Sequence, residues 1–338
     1  MQNGFGCLLV AEIGLSHEGS LGLAKAFIVA AKAAGADAVK FQMHLAEYES
    51  SSQERFRVHF SDQDASRHDY WSRTSFSAQE WTILKDYADE LNITFLVSVF
   101  STQALQLAVS LGIKTIKLGS GDLNNEEFFQ TIPGLDIHLI LSTGMSTWVE
   151  IDKAFLVYKN LPKLTILQCT SKYPTPLNEV GINNMHEIKS RYSVDTGLSD
   201  HTDGISSTVF AIFSGASLIE KHVIFDKKMF GPDISSSITF EDFKRISKFR
   251  DDFELIRQEV DKDEMADSLS EIRALFGRSL ALKESRTAGF VVENESEFVL
   301  RKPGGGLAWS DRNKFLGKKL IKDCSNFELI EHDHFEST

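Results

Sequence analysis

Eight short apolar runs that alternate with helix-patterned stretches predict an α/β fold for this chain, a (β/α)8 barrel followed by a small β-rich C-terminal domain. The runs lie at residues 8–13, 37–41, 94–98, 115–118, 138–141, 164–169, 195–199 and 217–222. Eight strands in this alternation would close a barrel, whereas a doubly wound open sheet, the alternative, more often carries about five to seven. The length of 338 residues also suits a barrel of about 250 residues with a small appendage.

Helical spacing is clearest between the first two runs, on a face made of Ala24, Phe27, Ile28 and Ala31. Gly35 then stands where the C-cap of that helix would be. Similar helical stretches follow the other runs. Residues 46–76 are instead long, polar and aromatic, which predicts an extended loop after the second strand. Loops on the carboxyl-end face of a barrel usually carry function.

The sequence changes in texture towards the C-terminus. After Phe240 a long, charged, helix-patterned segment reaches Leu275, and a second domain is predicted to start near Arg278. From there the apolar runs are short and β-like, with turn signals at residues 288–289, 293–295 and 303–306. About 60 residues are too few to bury a generous core alone, so we expect this module to dock on another body.

The composition is that of a globular protein, and the net charge argues against nucleic acid as a partner. Hydrophobic residues make up 42% and charged residues 25% of the chain, an ordinary globular balance with enough apolar material for a sizeable core. A net charge of -12 disfavours nucleic acid as a partner, and it requires a local cationic pocket for any anionic substrate.

The lack of a recognisable targeting signal and the spacing of the cysteines predict a soluble protein of the reducing cytoplasm. No apolar run approaches the roughly 20 residues of a membrane span, so a membrane is not expected as a partner. The N-terminal sequence MQNGFGCLLVAEIG lacks the basic start and the cleavage site of a signal peptide. Three widely spaced cysteines, Cys7, Cys169 and Cys324, suggest no disulfide framework.

Nearly every predicted strand carries a polar or ionisable residue at or just beyond its carboxyl end. These residues are Glu12, Lys40, Gln42, Ser98, Lys117, Ser120, Asp122, Ser142, Thr170, Tyr173, Ser199, His201 and His222. In a barrel the carboxyl ends of all strands meet on the active-site face, so these side chains should converge. The alternative is that the strands simply surface into water there, but an unpaired charge such as Lys40 or Lys117 is costly in a buried run.

Two lysines supply the cationic pocket that the net charge requires. The ammonium groups of Lys40 and Lys117 would bind a phosphate and a carboxylate together, beside the hydroxyls of Ser98, Ser120 and Ser142. Phosphoenolpyruvate carries both of these anionic groups. The alternative for either lysine is a side chain whose ammonium group reaches solvent.

Two histidines and one carboxylate are candidates for a metal site. His201 and His222 end consecutive strands, so their imidazoles can converge on a divalent ion, although two histidines can equally be ordinary hydrogen-bonding groups. Glu12 could complete the shell or bind substrate. The remaining positions would hold water or substrate oxygens, as a Lewis-acid catalyst requires. Asp233 lies further along the chain, in a turn that could present its carboxylate over the barrel mouth.

The order of these motifs resembles that of the sialic acid (N-acetylneuraminate) synthase family, whose members are phosphoenolpyruvate-dependent nonulosonic acid synthases. The matching segments are AEIGLSHEG (11–19), VKFQ (39–42), KLGSGD (117–122), LSTGM (141–145), QCTSKYPTP (168–176), GLSDHT (197–202), EKH (220–222) and FGPD (230–233). Two further segments, RSLALKESRTAGFVV (278–292) and LRKPGGGL (300–307), resemble the family's C-terminal antifreeze-like module. The resemblance implies a TIM-barrel catalytic domain over residues 1–265, a linker helix over 266–277 and an antifreeze-like (SAF, β-clip) domain over 278–338.

The resemblance also implies a reaction and its participants. Carbon 3 of phosphoenolpyruvate attacks the C1 aldehyde of an open-chain N-acetylmannosamine-like sugar, water adds at C2, and phosphate leaves by C–O cleavage. His201 and His222 would hold a divalent ion, Mn2+ or Mg2+, that polarises the aldehyde. In this family the C-terminal module reaches over the partner subunit's barrel, so a domain-swapped homodimer is implied.

Residue roles follow from the same resemblance. The groups that hold phosphoenolpyruvate would be Lys40, Lys117, Ser98, Ser120, Ser142, Tyr173 and Ser199. Asp122 and Ser171 also fall on substrate-binding motifs. Glu12, Gln42 and Asp233 match sugar-side positions, and Glu12 is also a candidate for proton transfer or water activation.

Four positions depart from the family pattern. Ser16 stands where the family often has asparagine, Val99 replaces a proline, and Ser171 replaces an asparagine of the phosphoenolpyruvate site. Lys302 stands where the module usually presents an arginine to the sugar's acyl group, and lysine cannot reproduce a planar two-pronged donor. Adjacent Arg301 could substitute, but strand alternation points it to the other face. Because of these departures, the sequence does not fix the identity of the acceptor sugar.

Three alternative functions remain. The acceptor could be a 2,4-diacetamido-trideoxyhexose, which would make the enzyme a legionaminic or pseudaminic acid synthase. A 3-deoxy-ulosonic acid phosphate synthase is the second alternative, and the appended module and the FGPD segment argue against it. The third is a catalytically silent sugar-binding protein on this fold, against which the retained pairs His201/His222 and Lys40/Lys117 argue.

Overall fold

The computed structural model describes residues 6–51 and 53–336, so the start of the N-terminal sequence, residue 52 and residues 337–338 lie outside the described chain. The protein divides into two compact units, Met1–Arg257 and Gln258–Thr338. In the first unit eight parallel strands pair in chain order and close through β1 against β8. The strands are β1 Leu8–Gly14, β2 Ala38–Met43, β3 Thr94–Val99, β4 Thr115–Leu118, β5 His138–Ser142, β6 Lys163–Cys169, β7 Asp195–Asp200 and β8 Leu218–Ile224. The predicted (β/α)8 barrel is confirmed, and every predicted run matches its strand to within two residues at either end.

Helices follow the strands and surround the barrel. They are α1 Leu21–Ala33, α2 Ala46–Glu49, α3 Arg67–Thr74, α4 Ala78–Glu90, α5 Thr102–Ser110, α6 Glu126–Thr131, α7 Trp148–Tyr158, α8 Ile182–Tyr192, α9 Ser206–Phe213 and α10 Phe240–Ile256. A two-residue strand, β9 Ile238–Thr239, pairs in parallel with the end of β8 before α10 begins. Helix α1 buries the four residues of the predicted face. Gly35, just beyond this helix, has a φ of 85°, a conformation that glycine adopts without the strain of a Cβ atom.

The barrel strands separate two apolar layers. Outward-facing residues such as Val39 and Ile116 pack against the helices in one large cluster. A smaller cluster takes one residue from each of six strands, Val10, Ala38, Leu96, Ile140, Leu167 and Leu218. Since side chains alternate along a strand, the residues two positions further on point to the same side. Those residues are Glu12, Lys40, Ser98, Ser142, Cys169 and Glu220. The barrel interior therefore changes from apolar to polar towards the carboxyl ends of the strands.

The segment after β2 differs from its prediction. It contains α2 and α3, so the expectation of an extended loop over residues 46–76 was wrong for these parts. Ser66 caps α3 because its side chain accepts a hydrogen bond from the Asp69 backbone N–H, and Tyr70 and Thr74 are buried. The polar composition of the segment concealed this short amphipathic helix.

The second unit begins with helices and ends with a small β-rich core. The helical pattern expected to run to Leu275 is interrupted after α10, and it resumes in α11 Lys262–Ser268 and α12 Ser270–Phe276. The predicted linker helix, residues 266–277, thus falls on the end of α11 and all of α12. Strand β10 Ser279–Leu282 pairs antiparallel with β11 Phe298–Arg301. The core of this unit consists of Leu280, Leu282, Val292, Phe298, Phe315, Leu320, Cys324, Ile330 and Phe335.

Helices long and apolar enough to cross a bilayer are absent from the part of the chain that the structure describes.

Candidate active site

Four charged side chains are buried together at the carboxyl end of the barrel interior. They are Glu12, Lys40, Lys117 and Glu220, each at most 4% exposed. Lys40 Nζ lies 2.5 Å from Glu12 Oε2 and 3.1 Å from Glu220 Oε1, and Lys117 pairs with the same oxygen of Glu220. Two cations and two anions compensate one another, which is the condition for burying charge without a large penalty.

The electrostatics of this cluster are set by burial and by the pairing. Burial lowers the pKa of Lys40 to about 7, an effect that the Glu220 carboxylate opposes and the Lys117 ammonium reinforces. Burial also opposes ionisation of Glu220, but Lys117 and Lys40 outweigh it and hold the pKa of Glu220 well below its usual range. An anion bound beside the lysines would favour their charged forms. The cluster is therefore suited to receive a negatively charged ligand.

Hydroxyl groups surround the two lysines. Lys40 Nζ donates to Ser98 Oγ at 2.8 Å, and Lys117 Nζ donates to Ser199 Oγ at 3.2 Å. Ser199 Oγ in turn donates to Glu220 Oε1 at 3.1 Å. These bonds fix the positions of the ammonium groups, so the donors are arranged before any substrate arrives.

A second group of small side chains forms a cradle around Gly144. Its backbone N–H donates to Ser120 Oγ at 2.9 Å. A Cβ atom at this position would lie 2.4 Å from Ser171 Oγ, 2.8 Å from Ser120 Oγ and 2.9 Å from Cys169 Sγ. Nearby, the buried Ser142 Oγ makes no hydrogen bond to any described residue. An unsatisfied buried hydroxyl beside a concave surface of donors indicates a place for a ligand oxygen.

The two predicted metal ligands lie side by side. The ring centroids of His201 and His222 are 5.7 Å apart, and the Tyr173 ring stacks on His201 at 4.1 Å. His201 Nδ1 lies 3.1 Å from the Thr170 carbonyl oxygen and 3.7 Å from Cys169 Sγ. A carbonyl oxygen only accepts, so Nδ1 carries a proton, which is the arrangement of metal-binding histidines. Burial opposes the charged form of His201, but Cys169 outweighs it and raises the pKa of His201, so a metal would bind Nε2 by displacing a proton.

The donor set at this place fits a site with few protein ligands. Burial holds the pKa of His222 well below its ordinary value, and it is the neutral imidazole that binds metals. Neither ring nitrogen of His222 has a hydrogen-bond partner among residues 6–51 and 53–336. Groups of three or more histidine, cysteine, aspartate or glutamate side chains arranged for a metal are absent from the same residues. A metal held by these two histidines would complete its shell with water or substrate oxygens.

Two cavities open at the barrel mouth. The inner one, of about 100 Å³, contains the charged cluster, the hydroxyls and both histidines. The outer one, of about 420 Å³, has aromatic and polar walls. The two share the lining residues Gln42, Phe100, Gly119, Ser120 and Tyr173, so they lie side by side.

Most of the residues predicted from the sequence meet in these cavities. The inner cavity is lined by Glu12, Lys40, Gln42, Ser98, Lys117, Ser120, Ser142, Tyr173, Ser199, His201 and His222. The outer cavity adds Asp122, Ser171 and Asp233. Lys302 lies in the second unit, where its Nζ is 5.3 Å from the centroid of the Phe276 ring. The guanidinium of Arg301 stacks over Phe327 at 4.1 Å. The role expected for Lys302 stays a prediction.

Three residues of the site were missed by the sequence analysis. Glu220 sits between the two lysines, Cys169 contacts His201, and Arg57 lines the outer cavity. A signal existed for Glu220, because it shares a strand face with His222 two residues later. Arg57 lies in a segment with no periodic pattern, and nothing local marked it.

A closed parallel barrel whose carboxyl-end mouth concentrates buried lysines, hydroxyls and imidazoles is the arrangement of a (β/α)8-barrel enzyme. Residues 27–262, more than two-thirds of the chain, match the NeuB family. The chain belongs to the NeuB family, and the resemblance noted in the sequence is confirmed. It is an enzyme of the sialic, or nonulosonic, acid synthase type, a class that serves carbohydrate biosynthesis.

Named relatives span nearly the whole chain. The N,N'-diacetyllegionaminic acid synthase of Legionella pneumophila is 31% identical over 340 residues, which covers 98% of this chain and 95% of the relative. The enzyme of the same name from Campylobacter jejuni is 32% identical over 333 residues, covering 96% and 98%. The crystal structure of N-acetylneuraminic acid (sialic acid) synthetase from Leptospira borgpetersenii has a TM-score of 0.67 at 26% identity, covering 78% of this chain and 91% of that one.

Proposed function

We propose that this enzyme condenses phosphoenolpyruvate with an N-acylated amino-sugar aldehyde of the N-acetylmannosamine type and releases phosphate, as an N-acetylneuraminate synthase does. The observation that carries the proposal is the inner cavity. There two buried ammonium groups, a cradle of hydroxyls and two imidazoles converge at one barrel mouth. The named relatives support the same reaction class.

The proposed reaction forms one C–C bond and breaks one C–O bond. Carbon 3 of phosphoenolpyruvate donates the electron pair of its double bond to the aldehyde carbon, whose oxygen takes a proton. Water then adds to the electron-poor carbon 2 and gives up a proton. The resulting tetrahedral carbon expels phosphate and becomes a ketone. Glu12, whose Oε2 lies 2.5 Å from Lys40 Nζ, is the candidate for moving a proton in these steps.

The residues would divide between the two substrates. Those on the phosphoenolpyruvate side would be Lys40, Lys117, Ser98, Ser120, Ser142, Ser171, Tyr173 and Ser199. Donors fixed in advance stabilise the charge that develops as phosphate leaves. Glu12, Gln42, Asp122 and Asp233 would contact the sugar.

A divalent ion, Mn2+ or Mg2+, is part of the proposal. His201 and His222 would hold it, and the hydrogen bond of His201 Nδ1 to the Thr170 carbonyl oxygen supports this assignment. When bound, the ion supplies Lewis-acid polarisation of the aldehyde oxygen.

A 2,4-diacetamido-trideoxyhexose is the second candidate acceptor, which would make the enzyme a legionaminic or pseudaminic acid synthase. Two observations favour it. Both relatives described above are named N,N'-diacetyllegionaminic acid synthase. The outer cavity also has apolar walls that suit a deoxy sugar with two acetamido groups, and they consist of Phe56, Phe60, Tyr70, Trp71 and Phe100.

The proposal extends to the assembly and location of the enzyme. A domain-swapped homodimer would let the SAF-like module present Lys302 to the acceptor of the partner subunit, and the resemblance of residues 278–307 supports it. A cytoplasmic location is supported by the three cysteines, Cys7, Cys169 and Cys324, which are all free and buried.

Phosphate release from phosphoenolpyruvate in the presence of Mn2+ tests the function. The purified full chain is assayed with N-acetylmannosamine, with 2,4-diacetamido-2,4,6-trideoxymannose and with arabinose 5-phosphate. Release that depends on either amino sugar supports the proposal, and the better amino sugar identifies the acceptor. Release with arabinose 5-phosphate alone would assign the enzyme to the 3-deoxy-ulosonic acid phosphate synthases instead.

The cradle around Gly144 leads to a prediction about phosphoenolpyruvate. Gly144→Ala is expected to raise the KM for phosphoenolpyruvate about tenfold, because the added methyl group displaces the hydroxyls of Ser120 and Ser171. Gly204→Ala is the matched control, since a Cβ there would meet nothing within 4 Å. Steady-state phosphate release measures both variants. An unchanged KM in Gly144→Ala would show that the cradle does not hold this substrate.

A further inference from the structure

The segment after β2 forms a wall of the outer cavity that is fixed to the barrel. Arg73 Nη2 lies 2.9 Å from Glu18 Oε2, in the loop after β1, and 2.7 Å from Asp64 Oδ2. Tyr70 Oη donates to Glu18 Oε1 at 3.0 Å. These contacts tie α3 to the barrel and hold the preceding residues in a defined position.

Arg57 lies in this wall and joins it to the segment after β8. Its Nη2 donates to Asp233 Oδ1 at 2.8 Å and to the Pro232 carbonyl oxygen at 2.9 Å. Its guanidinium carbon lies 4.1 Å from the centroid of the Tyr173 ring, and that ring stacks on His201. Arg57 is thus held on one side by a carboxylate and on the other by an aromatic ring that borders the inner cavity.

We propose that Arg57 positions the acceptor sugar by donating a hydrogen bond from one of its two remaining nitrogens, Nε or Nη1, to the carbonyl oxygen of the acceptor's N-acyl group. This inference rests on the proposed function. Both hydrogen bonds of Arg57 use Nη2, and its other nitrogens have no partner among residues 6–51 and 53–336. The side chain is 39% exposed and lines the outer cavity, so these donors are open to a ligand there. An anchored guanidinium presents its remaining N–H groups in one fixed plane, which suits a carbonyl acceptor.

The charges of the outer cavity assign the acceptor to the uncharged sugars. Each arginine that lines it has a carboxylate partner within the described chain. The pairs are Arg57–Asp233 and Arg67–Glu54, with closest atoms 2.8 and 2.7 Å apart. His44, also in the lining, is hydrogen-bonded to Glu49 at 2.7 Å. The outer cavity, with the ion-pair partners of its lining, thus sets two guanidinium groups against the four carboxylates of Glu49, Glu54, Asp122 and Asp233, whereas two cations balance two anions in the inner cavity. A phosphate on the sugar would meet this excess of negative charge. The charge balance therefore selects a neutral N-acylated sugar over a sugar phosphate.

Kinetics of Arg57 variants test this role. Arg57→Ala is expected to raise the KM for N-acetylmannosamine or for 2,4-diacetamido-2,4,6-trideoxymannose about 10- to 100-fold, because a hydrogen bond from a charged donor is lost. The KM for phosphoenolpyruvate should change by less than about twofold, since Arg57 does not line the inner cavity. Arg57→Lys should fall between, because it keeps a charge beside Asp233 but loses the plane of donors. Arg55→Ala, two residues away and outside the outer cavity, is the matched control and should behave as the wild type.

The possible outcomes separate this inference from the function on which it rests. A wild-type acceptor KM in Arg57→Ala, or equal increases in both KM values, would overturn the role of Arg57 and leave the function standing. If the wild type releases no phosphate with any sugar, the proposed function fails, and calorimetric titration with the same two sugars decides about Arg57. Weaker binding by Arg57→Ala than by the wild type would then support its role, and equal or absent binding would reject it.

Faster turnover of N-acetylmannosamine 6-phosphate than of either neutral sugar would overturn the assignment of an uncharged acceptor.

Discussion

Replacing His222 with alanine is expected to lower metal-dependent phosphate release at least about a thousandfold, which corresponds to about 4 kcal/mol of transition-state stabilisation. Among the residues that the structure describes, two imidazoles meet at the proposed metal site, so the loss of one leaves a single protein ligand there. Stability should change little, because His222 has no hydrogen-bond partner in the described part of the protein that would be left unsatisfied. Phosphate release over a Mn2+ titration, together with thermal unfolding, measures the two effects.

His138 provides the matched control. It is also a buried histidine on a barrel strand, but it begins β5 at the opposite end of the barrel. Its Nε2 lies 2.8 Å from Thr165 Oγ1, so His138→Ala should lower the free energy of unfolding by about 1–2 kcal/mol. Its metal-dependent turnover should persist. Wild-type turnover and Mn2+ dependence in His222→Ala would remove His222 from the site.

Replacing Glu220 with glutamine is expected to lower the free energy of unfolding by about 3–5 kcal/mol, the range for breaking a buried ion pair. Glu220 Oε1 pairs with both Lys40 and Lys117, and for Lys117 it is the sole carboxylate partner among residues 6–51 and 53–336. The neutral amide would leave that ammonium buried without a counter-charge. Phosphoenolpyruvate brings its own negative charge, so it should raise the melting temperature of Glu220→Gln more than that of the wild type.

The neighbouring residue gives a control on the other face of the same strand. Lys221 is fully buried outside the barrel interior, where its Nζ lies 3.2 Å from Asp200 Oδ1 and donates to the Thr202 carbonyl oxygen at 2.6 Å. Lys221→Met should also destabilise the protein by about 3 kcal/mol. Phosphoenolpyruvate should stabilise Lys221→Met and the wild type equally. An equal response of all three proteins would show that Glu220 does not border the anion site.

Strand patterns carried most of the information about the barrel and its mouth. Short apolar runs and the return of helical spacing between them are local properties, so the eight strands could be located from the sequence. Closure of the barrel brings the carboxyl ends of all strands together, whatever the details of packing. The sequence could therefore predict that Lys40, Lys117, His201 and His222 converge at one place. Helix α3 was missed because a short helix with a polar composition has a weak periodic signal.

The sequence by itself determined the barrel, the family and the polar residues at the carboxyl ends of the strands, because each depends on local order along the chain. Tertiary structure alone decided which of those groups touch. Glu220 became the partner of two lysines through the approach of β2, β4 and β8, and Arg57 met Asp233 across 176 residues of chain. Such pairings depend on how loops and strands pack in three dimensions, and no pattern along a single chain specifies the distance between two atoms that far apart in sequence.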